Sequence, residues 1–71
     1  MKSLTEGQLV IVVDDGAAVD GIVVHVASFL KAEVAVPDDE HGAVFRSVHR
    51  KALRERAEPG EHDEALRKAI R

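Results

Sequence analysis

The stretch VFRSVHRKALRER, residues 44–56, decides the fold, because two periodicities compete for it. Read as a strand, Val44 and Val48 share a face with Arg46 and Arg50, while Phe45, Ser47 and His49 take the other. Read as a helix, Phe45, Val48, Ala52 and Leu53 fall at i, i+3, i+7 and i+8 and leave the arginines mostly outside the stripe. Local chemistry divides the segment, since AVFRSV is rich in β-branched and aromatic residues and KALRER in strong helix formers. The combined reading is a strand through about His49 followed by a helical turn. The competing expectation is one continuous helix, which would make the chain a β-hairpin with two helices.

Working outward toward the N-terminus, KAEVAVP is the cleanest alternation in the chain. Ala32, Val34 and Val36 point one way and Lys31, Glu33 and Ala35 the other, so a half-exposed strand is predicted, ended by Pro37. Gln8 to Val13 and Ile22 to Phe29 are near-continuous apolar runs, as expected of strands buried on both faces or bent around a barrel. Between them DDGAAVDG carries two Asp–Gly punctuations and is predicted to be a loop rather than a two-residue hairpin turn. SFLK leaves room only for a tight turn before the third strand, and PDDEHG is an acidic connection closed by Gly42. Toward the C-terminus, Pro59 and Gly60 break the chain. A helix over residues 61–71 then opens on Glu61, Asp63 and Glu64 and closes on Arg67, Lys68 and Arg71, as the helix macrodipole favours. Leu66, Ala69 and Ile70 form its narrow apolar stripe, so it must dock to persist.

The order of these elements resembles the SH3-like small barrels of the KOW and Tudor type. Gly7, Val10 and Val12 match a G-x-x-V-x-V start. GIVVHV, Gly21 to Val26, matches a G-x-V-x-x-V second strand, and Val48 and Leu53 match a terminal V-x-x-x-x-L. The resemblance covers about Glu6 to Arg54 and implies a mainly β fold, a small barrel of four to five antiparallel strands with a C-terminal helix. The chain of 71 residues is then one domain, with the barrel over 6–57 and the helix over 61–71. Barrels of this type often engage nucleic acid. Here only Phe29 and Phe45 supply aromatic rings, which argues against a methyl-lysine cage and weakens base stacking.

Charge sharpens the question of partners. The net charge is −3, yet residues 1–40 carry two basic against eight acidic residues, and residues 41–71 carry eight against five. Complementary halves allow two outcomes, head-to-tail or antiparallel self-association, or local neutralisation where the halves fold over each other within one chain. Arg46, Arg50, Lys51, Arg54 and Arg56 are the candidate site, for phosphates of a nucleic acid or for an acidic partner. Consecutive carboxylates at Asp14–Asp15 and Asp38–Glu40, with His25, His41 and His49, do not follow an EF-hand or H-E-x-x-H spacing, so neither a metal nor another cofactor is expected. Isolated hydroxyls, no cysteine and no nucleophile elbow or P-loop point away from an enzyme and from a small-molecule substrate. Without a leader-like start, a membrane-length apolar run or a cysteine, the chain is expected in the cytoplasm and off the membrane. The functional expectation is a binding or assembly module that engages a protein partner or a second copy of itself, with nucleic-acid binding through Arg46 to Arg56 as the alternative.

Overall fold

A computed structural model describes residues 3–70. Arg71, predicted to help close the helix, lies outside them. The fold is mainly β. Strands β1 (Leu9–Asp14), β2 (Ala17–Val26), β3 (Lys31–Asp38), β4 (Gly42–His49) and β5 (Leu53–Glu55) form one antiparallel sheet in the order β4-β3-β2-β1-β5, and helix α1 spans Asp63–Ile70. The sheet is not closed into a barrel. Its borders are β4 and β5.

The deciding stretch resolves into three pieces. Residues through His49 are strand, as the β-branched and aromatic half requires; Arg50–Ala52 make a single 3-10 turn; and Leu53–Glu55 return as β5 against β1. The helical propensity of KALRER is overridden because Leu53 finds a buried seat beside Val12, its register partner. His49 starts the turn by accepting, at Nδ1, the hydrogen bond of the Lys51 backbone N–H at 3.1 Å. The continuous-helix alternative does not occur.

Three other expectations are corrected. Residues 14–21 are not a loop. Asp14 pairs directly with Ala17, so Asp15 and Gly16 form a two-residue hairpin turn, and their φ values of 47° and 79° are the pair of positive angles that such a turn demands. Pro37 does not end β3, which runs on to Asp38 with Pro37 opposite Ala43. It is tolerated because β2 last pairs with β3 at Ala35, leaving the rest of β3 bonded on one side only. The expected half-exposure of β3 holds only at its start: Lys31 is exposed and Glu33 partly so, but Ala35, on the same face, is fully buried.

That burial follows from two layers. One face of the sheet gathers Val10, Val12, Val23, Ala32, Val34, Val36, Val48 and Leu53, with Leu4 and Val26 at the margin. The opposite face holds Ile22 and Ala35 under Leu66 of α1, flanked by Leu9, Val24, Ala43 and Ile70. Val26 joins the first face, contrary to a simple alternation with Ile22 and Val24, because a bulge between Val23 and His25 shifts the register. Gly21 lets β2 lie close against β3. A Cβ there would lie 2.7 Å from Val34 Cγ1 and 3.1 Å from the Ala35 carbonyl oxygen.

Candidate interaction surface

The five basic residues of 44–56 do not share one surface. Arg56 is interior, its side chain only 8% exposed. All five of its N–H donors are used. Nε donates to the Val10 carbonyl at 3.1 Å; Nη1 donates to Asp63 Oδ2 at 2.8 Å and the Glu58 carbonyl at 3.2 Å; Nη2 donates to Asp63 Oδ1 at 2.8 Å and the Gly21 carbonyl at 3.0 Å. One side chain thus joins β1, β2, the 56–62 connection and the first turn of α1. Asp63 completes the arrangement by accepting the Gly60 backbone N–H at 2.7 Å. The Arg56 hydrogen bonds hold the Asp63 carboxyl below its ordinary value against the opposing push of burial, and Asp63 in turn raises Arg56. Arg56 is spent on the fold and presents nothing to a partner.

The remaining four diverge. Arg46 lies on β4 and donates from Nη2 to Asp14 Oδ2 at 3.0 Å, an exposed pair across the mouth between β4 and the β1–β2 turn. Arg54 turns back on its own segment, donating from Nη1 to the carbonyls of Lys51 at 2.7 Å and Leu53 at 2.9 Å. Arg50 and Lys51 occupy the 3-10 turn, and the Arg50 guanidinium lies 4.4 Å from the centroid of the Phe29 ring. The Arg50 backbone N–H bonds the Leu30 carbonyl at 2.7 Å, which ties the 3-10 turn to the β2–β3 turn. Lys31 is the register partner of His49, so it joins the same end of the sheet. Here Phe29 is 73% and Leu30 51% exposed beside three cations. Sequence reasoning missed Phe29, Leu30 and Lys31 as members of this group. The available signal was that a turn as tight as SFLK cannot bury its two large side chains.

At the other end of the β3–β4 hairpin stands the acidic turn Asp38–His41. Asp38 Oδ2 accepts the backbone N–H groups of Glu40 at 3.2 Å and His41 at 2.8 Å, and lies 2.9 Å from His41 Nδ1. The bond with the His41 side chain, then that with its backbone, keeps the Asp38 carboxyl below its ordinary value. Eight-residue strands at about 3.3 Å per residue separate the two ends by roughly 23 Å. Between them, β4 is a border strand with Phe45 50% exposed and Val44 36% exposed. Phe45 is the register partner of Ala35 and so lies on the α1 side of the sheet; Val44 and Arg46, partners of Val36 and Val34, lie on the other side.

Among the described residues, no group of three or more His, Asp or Glu side chains is arranged to hold a metal ion. No helix among the described residues is long and apolar enough to cross a membrane. A shallow depression beside α1 is lined by Pro59, Gly60, Asp63, Glu64, Arg67 and Lys68. Its most buried group, Asp63, is already engaged by Arg56. No protein-family model, no curated protein and no solved structure matches the chain.

Proposed function

We propose that this chain is an SH3-like module with an open sheet, without catalysis, that mediates protein–protein interaction through its sheet border. Support for the SH3-like reading comes from connectivity: a four-strand meander, one 3-10 turn and a short fifth strand returning to β1. The observation that carries the function is β4, eight residues long, unpaired on its outer side and bearing half-exposed Phe45. An unpaired strand offers a row of backbone donors and acceptors to an incoming chain, and exposed apolar side chains beside it add the burial that makes such pairing stable. The test is affinity capture with the wild-type protein and with Phe45→Lys. A partner retained by the first and lost by the second supports the reading; partners held equally by both contradict it.

The nucleic-acid alternative is favoured by a different observation, the exposed Phe29 ring under Arg50 with Lys31 and Lys51 nearby. A ring and several cations at one end could stack a base and contact phosphates. Fluorescence-anisotropy titration with random duplex DNA and single-stranded RNA separates the readings. Phosphate-driven binding weakens steeply between low and near-physiological salt and falls for Lys51→Ala. No binding at low salt leaves the arginines to protein contacts.

A further inference from the structure

We infer that the partner of β4 is the β4 strand of a second copy of this chain, paired antiparallel about a two-fold axis at Phe45. The inference rests on the border-strand reading above and names its partner.

The argument is one of charge and register. The β3–β4 hairpin carries carboxylates at its turn, Asp38, Asp39 and Glu40, and cations at its open end, Arg50 and Lys51 on the 3-10 turn and Lys31 beside them. No Asp or Glu occurs between His41 and Arg54. When two copies lie antiparallel along β4, the acidic turn of each comes beside the cationic end of the other, twice per dimer. Parallel alignment would set acid against acid and base against base. A two-fold axis makes such an interface self-complementary and closes it at two subunits.

The position of the axis follows from the same strand. Centred on Phe45, the pairing sets Val44 beside Arg46 and Ala43 beside Ser47 of the second copy, and brings Asp39 toward Lys51 and Glu40 toward Arg50. Like faces of the two sheets then coincide, and the two half-exposed Phe45 rings meet on the α1 side. Moving the axis to Arg46 would place two guanidinium groups against each other. Moving it to Val44 would set Glu40 beside Val48 and break the match at both ends. Within residues 42–49, Arg46 is the only Asp, Glu, Lys or Arg, and it is turned toward Asp14 of its own chain. The usual guards of a border strand, an outward lysine or a proline, are missing from this stretch.

The test is sedimentation equilibrium of the full chain over a concentration series at low and at high salt, with Phe45→Lys, Asp39→Lys, Lys51→Glu and the combined D39K/K51E variant. Asp39, Phe45 and Lys51 are exposed, and circular dichroism checks that each variant keeps the fold. The inference expects a wild-type mass that rises to that of a dimer and stops there. It expects loss of the dimer in Phe45→Lys, at least tenfold weaker association for either single charge reversal, and recovery in D39K/K51E and in a mixture of the two single variants. The charge swap keeps the inference testable even if Phe45→Lys unfolds. A wild-type chain that stays monomeric at millimolar concentration would overturn it, as would growth beyond the dimer, or single charge reversals that the combined variant does not rescue. If the chain is monomeric while affinity capture still finds a partner lost in Phe45→Lys, self-pairing falls and the border-strand function stands.

Discussion

At one border of the sheet β5 is three residues long, and Arg56, immediately after it, fastens the chain to β1, β2 and α1 with four of its five N–H groups and to the Glu58 carbonyl with the fifth. At the other border β4 runs eight residues, paired to β3 on its inner side, with no strand among the described residues on its outer side and with Phe45 half exposed. The contrast teaches that the two borders carry different duties. The β5 side is short and anchored, so it serves the stability of the chain. The β4 side contributes its inner bonds to β3 and has no strand on its outer side among the described residues. Arginine itself illustrates the point: Arg56 and Arg50 lie six residues apart in one basic stretch, yet one is buried among carbonyls and a carboxylate, and the other rests on an exposed ring.

The sharpest way to break this comparison is to remove the anchor. Arg56→Ala leaves Asp63 buried and unpaired and strands the Val10 and Gly21 carbonyls; loss of one partner of a buried pair costs about 3–5 kcal/mol. For a domain whose whole stability is of the order of 0.05–0.15 kcal/mol per residue, that is most of it. Urea denaturation should show the loss as a lowered midpoint. The same anchor predicts a pH limb. Because the folded Asp63 carboxyl lies below its ordinary value of 3.8, its stabilisation is complete above that value and is lost as the pH falls through the folded pKa. Acid titration of stability should therefore steepen below about pH 4. Asp63→Asn should flatten that limb while lowering stability near neutral pH.

Second in size is Gly21→Ala. The new methyl group would meet Val34 Cγ1 and the Ala35 carbonyl where β2 lies close against β3, and overpacking of this kind costs about 1–3 kcal/mol. Thermal melting of the variant checks it. The smallest effect on stability is expected at the other border. Phe45→Lys changes an exposed side chain and should move the unfolding free energy by no more than about 0.5 kcal/mol, while abolishing association. A large stability loss at Phe45, or a negligible one at Arg56, would reverse the assignment of duties.

How much of this was legible in the sequence varies with the range of the interaction. Local signals were strong: the alternation of Lys31 to Val36, the strand-to-turn change at His49 and the helix after Pro59–Gly60 all follow from neighbouring residues. The Asp15–Gly16 turn is also written locally, but the second Asp–Gly at 20–21 is an equally strong turn signal that competes with it. Long-range facts were not legible. Nothing near Arg56 announces that it will meet the carbonyls of Val10 and Gly21, 46 and 35 residues away, because those groups are backbone and carry no residue identity. The exposure of β4 likewise depends on strand order. A sequence shows that Val44 to Val48 can be a strand, and only the topology shows that it is a border.

The most direct test of the two-border account is backbone amide hydrogen exchange, measured on the folded wild-type chain at low and at high protein concentration. The account predicts that amides between Gly42 and His49 which exchange quickly in dilute solution become protected as concentration rises, with β5 and α1 unchanged. Concentration-independent exchange in β4, or added protection appearing at β5 instead, would contradict it.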